Sequence, residues 1–277
     1  MKTARYWTRA QAEFPGSDDE TIQVKARGWS NESLEAARNK ALEVAQRAAK
    51  LIAGGLAKPE RYPYGDRPLP EPVIREFSGG IVTRNAYGAL VLNTDQMMFV
   101  DIDRKTAPAK SGGLFSSLFG KPKAAPAQDP IIDEIAGITS RHNLSARLYE
   151  TAAGYRLIVT SMPFEPGSAY AEALLAEYKS DPLYIRLCRL QESFRARLTP
   201  KPWRCGYNKP YGEFPFETAG AREQANRWES EYGSKSAAFA TCRSISDFGS
   251  GPIHAGFREL IEFHDRETKA LDMYPLA

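Results

Sequence analysis

The stretch Met97–Arg104 places the tightest constraint on how this chain can fold. The apolar run Met97–Val100 leads directly into Asp101, Ile102 and Asp103. Such a run is typical of a buried strand, and carboxylates at i and i+2 on a strand lie on the same face. Mg²⁺ prefers hard oxygen ligands and commonly uses one or two carboxylates together with water and substrate phosphates. The pattern therefore predicts Asp101 and Asp103 as ligands of Mg²⁺ or Mn²⁺, with turn residues or a solvated strand end as the alternative.

Composition limits the classes of protein that this chain can represent. Its 277 residues include 42% hydrophobic residues, enough for a substantial core. The 37 Lys and Arg against 34 Asp and Glu leave a net charge of +3, which excludes a protein that coats nucleic acid through bulk charge. No run approaches the roughly 18 apolar residues of a membrane span, and the N-terminal residues lack the apolar stretch of a signal peptide. We therefore expect a cytoplasmic protein without membrane contact, in which any phosphate site is local.

The cysteines indicate neither a disulfide framework nor a zinc site. Cys188, Cys205 and Cys242 are odd in number and widely spaced. Zinc sites and disulfide frameworks show paired spacings that are absent here. We expect reduced, partly buried thiols.

Hydrophobic periodicity predicts an α+β fold. The firmest helix covers 34–52, where apolar residues recur at helical spacing until Gly54 and Gly55. Strands are predicted at 20–26, 81–84, 87–93, 97–101, 146–150, 155–160 and 237–245, and further helices at 131–138, 168–178, 181–197, 219–232 and 257–265.

The composition divides the chain into four parts. Residues 1–57 form an N-terminal β-α element, and 58–103 combine a proline-rich extended segment with the start of the sheet core. Residues 104–130 are rich in lysine, proline and small residues that cannot build a core, so we expect a mobile insertion. Within it, the apolar patch 113–120 is either a docking peptide for a protein partner or a tip that folds back on its own domain. Residues 131–277 hold the remainder of the α+β core and a C-terminal helical part.

A second group of residues suited to ligand binding is basic and aromatic. It comprises Arg186, Arg189, Arg195, Arg197, Lys201 and Arg204, interleaved with Trp203, Tyr207 and Tyr211. Guanidinium groups beside aromatic rings suit phosphates and stacked bases. The alternative is that the arginines form ion pairs with neighbouring acids and that the tryptophan belongs to the core. A metal-binding carboxylate pair needs an electropositive counterpart if its ligand is a nucleotide, and this cluster is predicted to supply it.

A later hairpin completes a pattern that begins with the Asp-x-Asp strand. The hairpin is Tyr149–Val159, and its turn Thr151–Gly154 consists of small residues. In this order, residues 80–162 resemble the catalytic core of the archaeo-eukaryotic primase superfamily, in which an acidic strand precedes a glycine turn and a histidine-bearing strand. The resemblance implies metal binding by Asp101 and Asp103 and a primase-like or RRM-like palm, with a twisted, mainly antiparallel sheet and helices packed on it.

Arg156 occupies the position at which that family has its histidine. The family histidine contacts the incoming nucleotide, so the resemblance implies a nucleotide-binding role for Arg156. An arginine can bind a phosphate bidentately, but it cannot act as an acid or a base near neutral pH. The third carboxylate of the family has no clear match, with Asp247 and Asp265 as the two candidates.

The histidines carry no motif of their own. His264 and Asp265 are adjacent, and neighbours on a helix point in different directions. We expect structural or surface roles for His142, His254 and His264. Nucleophile-elbow, Walker, dinucleotide and zinc-protease motifs are absent from the sequence.

The sequence is therefore consistent with two functions. The first is a metal-dependent protein that acts on nucleotides or nucleic acid, in the form of a divergent primase-like nucleotidyltransferase that uses Mg²⁺ or Mn²⁺. The second is a non-catalytic α+β protein that binds nucleic acid or a protein partner, in which Asp101 and Asp103 are turn residues. Binding of Mn²⁺ by these carboxylates separates the two functions.

Overall fold

The computed structural model describes residues 1–15, 21–53, 67–104 and 129–277. The described chain contains both helices and antiparallel strands. The strands are β1 (Tyr6–Pro15), β2 (Thr21–Ser30), β3 (Val73–Phe77), β4 (Gly80–Arg84), β5 (Leu90–Thr94), β6 (Phe99–Asp103), β7 (Ala146–Thr151), β8 (Gly154–Val159), β9 (Phe194–Arg197) and β10 (Cys242–Phe248). The helices are α1 (Leu34–Ala53), α2 (Pro130–Arg141), α3 (Ala169–Glu177), α4 (Pro182–Gln191), α5 (Ala219–Ser236) and α6 (Arg258–Thr268).

The N-terminal unit is a β-hairpin covered by one helix. Strands β1 and β2 pair antiparallel over their full length, and α1 packs against both. The buried face of α1 consists of Ala37, Ala41, Ala45 and Ala49, spaced by four residues. Gly28 of β2 permits this close approach, because a Cβ atom there would lie 2.0 Å from the carbonyl oxygen of Ala37. Small residues on both elements therefore bring helix and hairpin into direct backbone contact.

Two four-stranded antiparallel sheets form the centre of the molecule. The first, which we name the carboxylate sheet, has the strand order β10-β7-β8-β6. The second, named the arginine sheet, has the order β3-β4-β5-β9. Strands β6 and β9 are the edge strands of their sheets and lie in contact with each other. The two sheets therefore meet along these edges.

Tyr184 of α4 joins the two edge strands. Its hydroxyl donates to the carbonyl of Phe99 on β6, at 3.1 Å, and accepts from the backbone N–H of Arg195 on β9, at 3.2 Å. These bonds satisfy edge groups that sheet pairing leaves unused. The Tyr184 side chain thus fixes the distance between β6 and β9.

A continuous apolar core lies beneath both sheets. It includes Leu92 and Phe194 of the arginine sheet, Phe99 and Leu157 of the carboxylate sheet, and Leu260 of α6. Burial of each such side chain contributes about 1.5–3 kcal/mol relative to exposure. Because both sheets contribute to this core, it fixes their positions relative to each other.

The α+β class predicted from the sequence is confirmed, with several local corrections. The sequence pattern did not predict β1 or β3, whose side chains are largely polar or exposed. Residues 181–197 were predicted as one helix, and instead contain α4 followed by β9. The core strands that were expected in one twisted sheet belong to two four-stranded sheets. The predicted strand 20–26 of the N-terminal element pairs with β1 in a hairpin.

Other predicted features fall partly outside the described residues. Nearly all of the insertion 104–130, including the patch 113–120, lies outside them, as do residues 58–66 of the proline-rich segment. Cys188, Cys205 and Cys242 are free thiols, as expected, and all three are buried. Among the helices of the described ranges, none has the length and apolar character needed to cross a bilayer.

Candidate functional site

The predicted metal ligands lie at the end of β6, facing the arginine sheet. Asp101 and Asp103 are exposed, while the alternate residues Val100 and Ile102 are buried in the core. The backbone of Asp101 is fixed by Ser180, whose hydroxyl donates to the Asp101 carbonyl at 3.0 Å. Neither carboxylate forms a hydrogen bond or an ion pair with another described residue. Strand periodicity thus presents two unneutralised carboxylates on one face.

The electrostatic environment of Asp103 is unfavourable to its negative charge. Partial burial raises the pKa of Asp103 above its ordinary value of 3.8, and the neighbouring charges of Asp101 and Asp181 raise it further. Lys201 and Arg204 act in the opposite direction and lower the pKa. Like charges held together in this way are typical of sites that bind a cation.

Arg156 of β8 stands opposite Asp101 in the carboxylate sheet. The two residues are directly paired in the antiparallel ladder, so their side chains share a face. Arg156 is only 5% exposed, and its Nη1 donates to the carbonyl of Arg197 at 2.8 Å. The same Nη1 lies 3.1 Å from Nε2 of His264. A buried guanidinium therefore connects the two sheets beside the carboxylates.

The arginines of β9 have different surroundings. Arg195 is bound by the carboxylate of Glu71, with both oxygens 2.9 Å from Nη2. This contact is a partly buried ion pair that neutralises Arg195. In contrast, Nε of Arg197 is buried and has no hydrogen-bond partner among the described residues. Burial lowers the pKa of Arg197, and the nearby charge of Arg156 lowers it further.

The loop after β9 adds two more cations and an aromatic ring. Lys201 and Arg204 flank Trp203, on and beside the short 3-10 helix Pro202–Cys205. Burial lowers the pKa of Lys201, and the charges of Arg197 and Arg204 add to this effect. Nη1 of Arg204 is buried without a hydrogen-bond partner among the described residues. Mutual repulsion and unused donors indicate a site suited to an anion.

Trp203 lies at the edge of this group with its indole accessible. The side chain is 56% exposed and meets Tyr87 edge-to-face, with ring centroids 5.5 Å apart. Nζ of Lys201 lies 5.7 Å from the indole centroid. An exposed ring supported by a second ring and a cation is an effective stacking surface.

These groups line one cavity between the two sheets, which we name the inter-sheet cleft. Its volume is about 370 Å³. The charged side chains that line it are Glu71, Asp101, Asp103, Arg156, Arg195, Arg197, Lys201 and Arg204. Five cations therefore face three carboxylates, and one of those carboxylates, Glu71, is already bound to Arg195. Asp101 and Asp103 of β6 form the acidic wall of the cleft, with Arg156 of β8 beside them. Arg197, Lys201 and Arg204 form the basic wall opposite.

The two free carboxylates of the cleft fit a hard divalent cation. They share a strand face, are accessible and have no other partner in the described chain, which suits Mg²⁺ or Mn²⁺ with further oxygen ligands from water or substrate. The described ranges contain no group of three or more His, Cys, Asp or Glu side chains arranged as a metal site. Asp101 and Asp103 would therefore hold the ion together with ligands from outside the protein.

The structure brings together most, but not all, of the predicted site residues. Asp101, Asp103, Arg156, Arg195, Arg197, Lys201 and Arg204 line the cleft, and Trp203 lies beside Lys201. Arg186 and Arg189 are exposed on α4 and do not line it, and Arg189 pairs with Glu172 at 3.5 Å. Spacing on α4 correctly placed these two arginines on one face, but that face does not form the cleft wall.

The two candidates for a third carboxylate also lie elsewhere. Both contact Arg147, Asp247 at 3.7 Å and Asp265 at 3.0 Å, and neither lines the cleft. The carboxylate that acts electrostatically on Asp103 is instead Asp181. Its side chain caps α4 by accepting from the N–H of Leu183 at 3.0 Å.

Sequence reasoning missed several residues that line the cleft, three of which have acidic or aromatic side chains. Glu71 lies in the proline-rich segment, Tyr87 in the turn between β4 and β5, and Tyr184 on α4. Glu71 is a lone acid in an irregular segment, and Tyr184 has the spacing of an ordinary core residue. Of the three, Tyr87 alone carried a local signal, because it lies in a turn marked by Asn85 and Gly88.

Comparisons with known proteins do not assign this chain to a family. Protein-family models, curated proteins and solved structures all gave no match to the chain. The chemistry of the inter-sheet cleft is therefore inferred from its own residues.

Proposed function

We propose that this protein binds nucleotides or nucleic acid in the inter-sheet cleft with Mg²⁺ or Mn²⁺ and acts on them as a primase-like nucleotidyltransferase. The observation that carries the proposal is the opposition of two unpartnered carboxylates, Asp101 and Asp103, to a basic wall whose Arg197 and Arg204 have unused buried donors. A ligand that satisfies both walls contains a divalent cation and phosphate groups. A metal-bound nucleotide has this composition.

Each wall has a distinct role in this proposal. A divalent ion held by Asp101 and Asp103 would polarise the phosphoryl group and favour in-line attack. Arg197, Lys201 and Arg204 bind phosphate oxygens and stabilise the negative charge that develops on them. Guanidinium groups suit this task because their planar donors match phosphate geometry and stay charged.

Two further features support a nucleotide rather than a simple phosphate. Trp203 offers an exposed ring beside the basic wall, on which a base can stack. Arg156 occupies the position of the nucleotide-contacting histidine in the resemblance to the primase superfamily. Because the guanidinium stays protonated near neutral pH, Arg156 binds phosphate and performs no acid–base catalysis.

A non-catalytic nucleic-acid-binding protein is the second candidate function. The basic wall and Trp203 can bind a single strand without any metal. Of the described acids that line the cleft, only Asp101 and Asp103 are free to hold a metal ion. In that case the ligand contacts the basic wall alone. The two functions therefore differ in one respect: in the first, Asp101 and Asp103 bind a metal ion that is required for ligand binding, and in the second they do not.

Titration with Mn²⁺, followed by electron paramagnetic resonance, tests the proposal. Wild type should bind Mn²⁺, and more tightly with ATP present, whereas Asp101→Asn and Asp103→Asn should each weaken binding and still unfold cooperatively. The control is Asp272→Asn, which removes an exposed aspartate from the C-terminal segment. Equal Mn²⁺ affinity in all four proteins would rule out the metal site. If ATP or an oligonucleotide binds equally well with and without Mn²⁺, the non-catalytic function is favoured.

A further inference from the structure

A buried polar network lies directly behind Arg156. His264 of α6 is completely buried, with Nδ1 2.9 Å from Oδ1 of Asp265 and Nε2 3.1 Å from Nη1 of Arg156. Asp265 accepts further bonds from the hydroxyl of Tyr149, at 2.7 Å, and from Nη1 of Arg147, at 3.0 Å. The sequence spacing of His264 and Asp265 did not predict this mutual contact.

The chemistry of arginine determines the tautomer of His264. A guanidinium has donors and no acceptor, so Nε2 of His264 must accept the bond from Arg156. The imidazole proton then resides on Nδ1 and is donated to the carboxylate of Asp265. Two interactions with Asp265, from Tyr149 and Arg147, hold that carboxylate in place. Hydrogen bonds are thus donated from Arg156 to His264 and from His264 to Asp265, and the Cys242 thiol lies 4.0 Å from the same Nε2.

This arrangement leaves part of the Arg156 guanidinium available. Both of its hydrogen bonds, to the Arg197 carbonyl and to His264, are made by Nη1. Its other nitrogens form no hydrogen bond with the described residues, and Arg156 lines the inter-sheet cleft. One edge of the guanidinium is anchored, and its remaining donors are free for a ligand.

We propose that His264 is a positioning residue that holds the Arg156 guanidinium in the orientation that binds a phosphate in the cleft. This inference rests on the proposed function in its choice of ligand, whereas the orientation itself is a property of the protein alone. His264 touches no ligand and acts only through Arg156. Asp265 and Tyr149 act one step further away: Asp265 accepts the Nδ1–H of His264, and Tyr149 holds the Asp265 carboxylate in place.

The first test is made on wild type without ligand. Nitrogen-15 NMR should show His264 as the neutral Nδ1–H tautomer, and the Nη protons of Arg156 should exchange slowly because rotation is restricted. His264→Gln keeps an acceptor for Arg156 and a donor for Asp265, so it should retain the slow exchange. His264→Leu removes both and should lose it. An Nε2–H tautomer in wild type, or equal exchange in all three proteins, would overturn the inference.

The second test measures affinity for Mn²⁺-ATP. His264→Leu and Arg156→Leu should each weaken binding about tenfold, the effect of one charge-assisted hydrogen bond, and His264→Gln should restore most of the loss. The double variant should bind no more weakly than Arg156→Leu. Tight binding by His264→Leu would overturn the inference and leave the proposed function intact. If wild type fails to bind Mn²⁺-ATP, the proposed function fails, and the NMR result alone decides the role of His264.

Discussion

Asp101 and Arg156 face each other across the β6–β8 ladder, yet the arginine donates its hydrogen bonds away from the carboxylate. Its partners are the Arg197 carbonyl and His264. A directly neutralised pair would leave neither group for a ligand, because strong charge-assisted bonds would occupy both. The separation keeps a negative and a positive group available side by side in the inter-sheet cleft.

The affinity for Mn²⁺ should depend on pH through Asp103. Partial burial and the charges of Asp101 and Asp181 raise its pKa above 3.8, and only the ionised carboxylate binds metal. Affinity should therefore be complete at neutral pH and fall on acidification, beginning at a higher pH than for an ordinary aspartate. Mn²⁺ titrations at several pH values measure this. In Asp101→Asn the onset should move to lower pH, because the like charge has been removed; an unchanged onset would contradict the electrostatic coupling.

Salt should weaken the binding of a single-stranded oligonucleotide. Each phosphate contact releases counterions, so the logarithm of the binding constant falls with the logarithm of salt concentration. Arg197→Gln and Arg204→Gln should each reduce the slope by about 0.7, the value for one contact on a single strand. The control is Arg38→Gln, an exposed arginine on α1. Fluorescence anisotropy at a series of salt concentrations gives the slopes, and identical slopes in all four proteins would exclude the basic wall as the phosphate site.

Trp203 should report the stacking of a base. Addition of Mn²⁺-ATP should change tryptophan fluorescence in wild type, and Trp203→Ala should lose both the signal and about 1–3 kcal/mol of binding free energy. Thermal stability should change little, because the side chain is 56% exposed. Inorganic triphosphate with Mn²⁺ is the control, since it has no base to stack. A triphosphate that binds as tightly as ATP in wild type would argue against stacking.

The network behind the cleft should also contribute to folding. Tyr149→Phe removes the hydroxyl that donates to the buried carboxylate of Asp265 at 2.7 Å. Loss of a hydrogen bond to a charged group should lower the free energy of unfolding by about 1.5–3 kcal/mol. Urea denaturation measures this change, with Tyr274→Phe, which alters an exposed hydroxyl, as the control. Equal midpoints would show that the contact contributes nothing to stability.

Several features of the fold could be read from residues that are close in sequence. The alternation around Asp101 and Asp103 predicted their shared exposed face, and Ser168 and Pro182 marked the starts of α3 and α4. Such signals are local, because strand periodicity, side-chain caps and proline geometry depend on a few neighbouring residues. The acidic wall of the cleft was therefore predictable.

Other features depend on partners that are distant in sequence. The end of the segment 181–197 leaves the helix and becomes β9 because β5 supplies a strand to pair with. Arg195 is neutralised by Glu71 across 124 positions, while Arg197 on the same strand keeps an unused donor. From their spacing in the sequence, these two arginines could not be distinguished.

The sequence by itself determined which side chains could bind a metal and a phosphate, and the tertiary structure decided which of them share a cleft. Arg156 and His264 are 108 positions apart, and their contact exists because α6 packs on the carboxylate sheet. Local backbone geometry is encoded in short segments, whereas the neighbours of a side chain depend on how those segments pack. The pairing of an acidic strand with a basic strand at the edges of two sheets is a property of that packing.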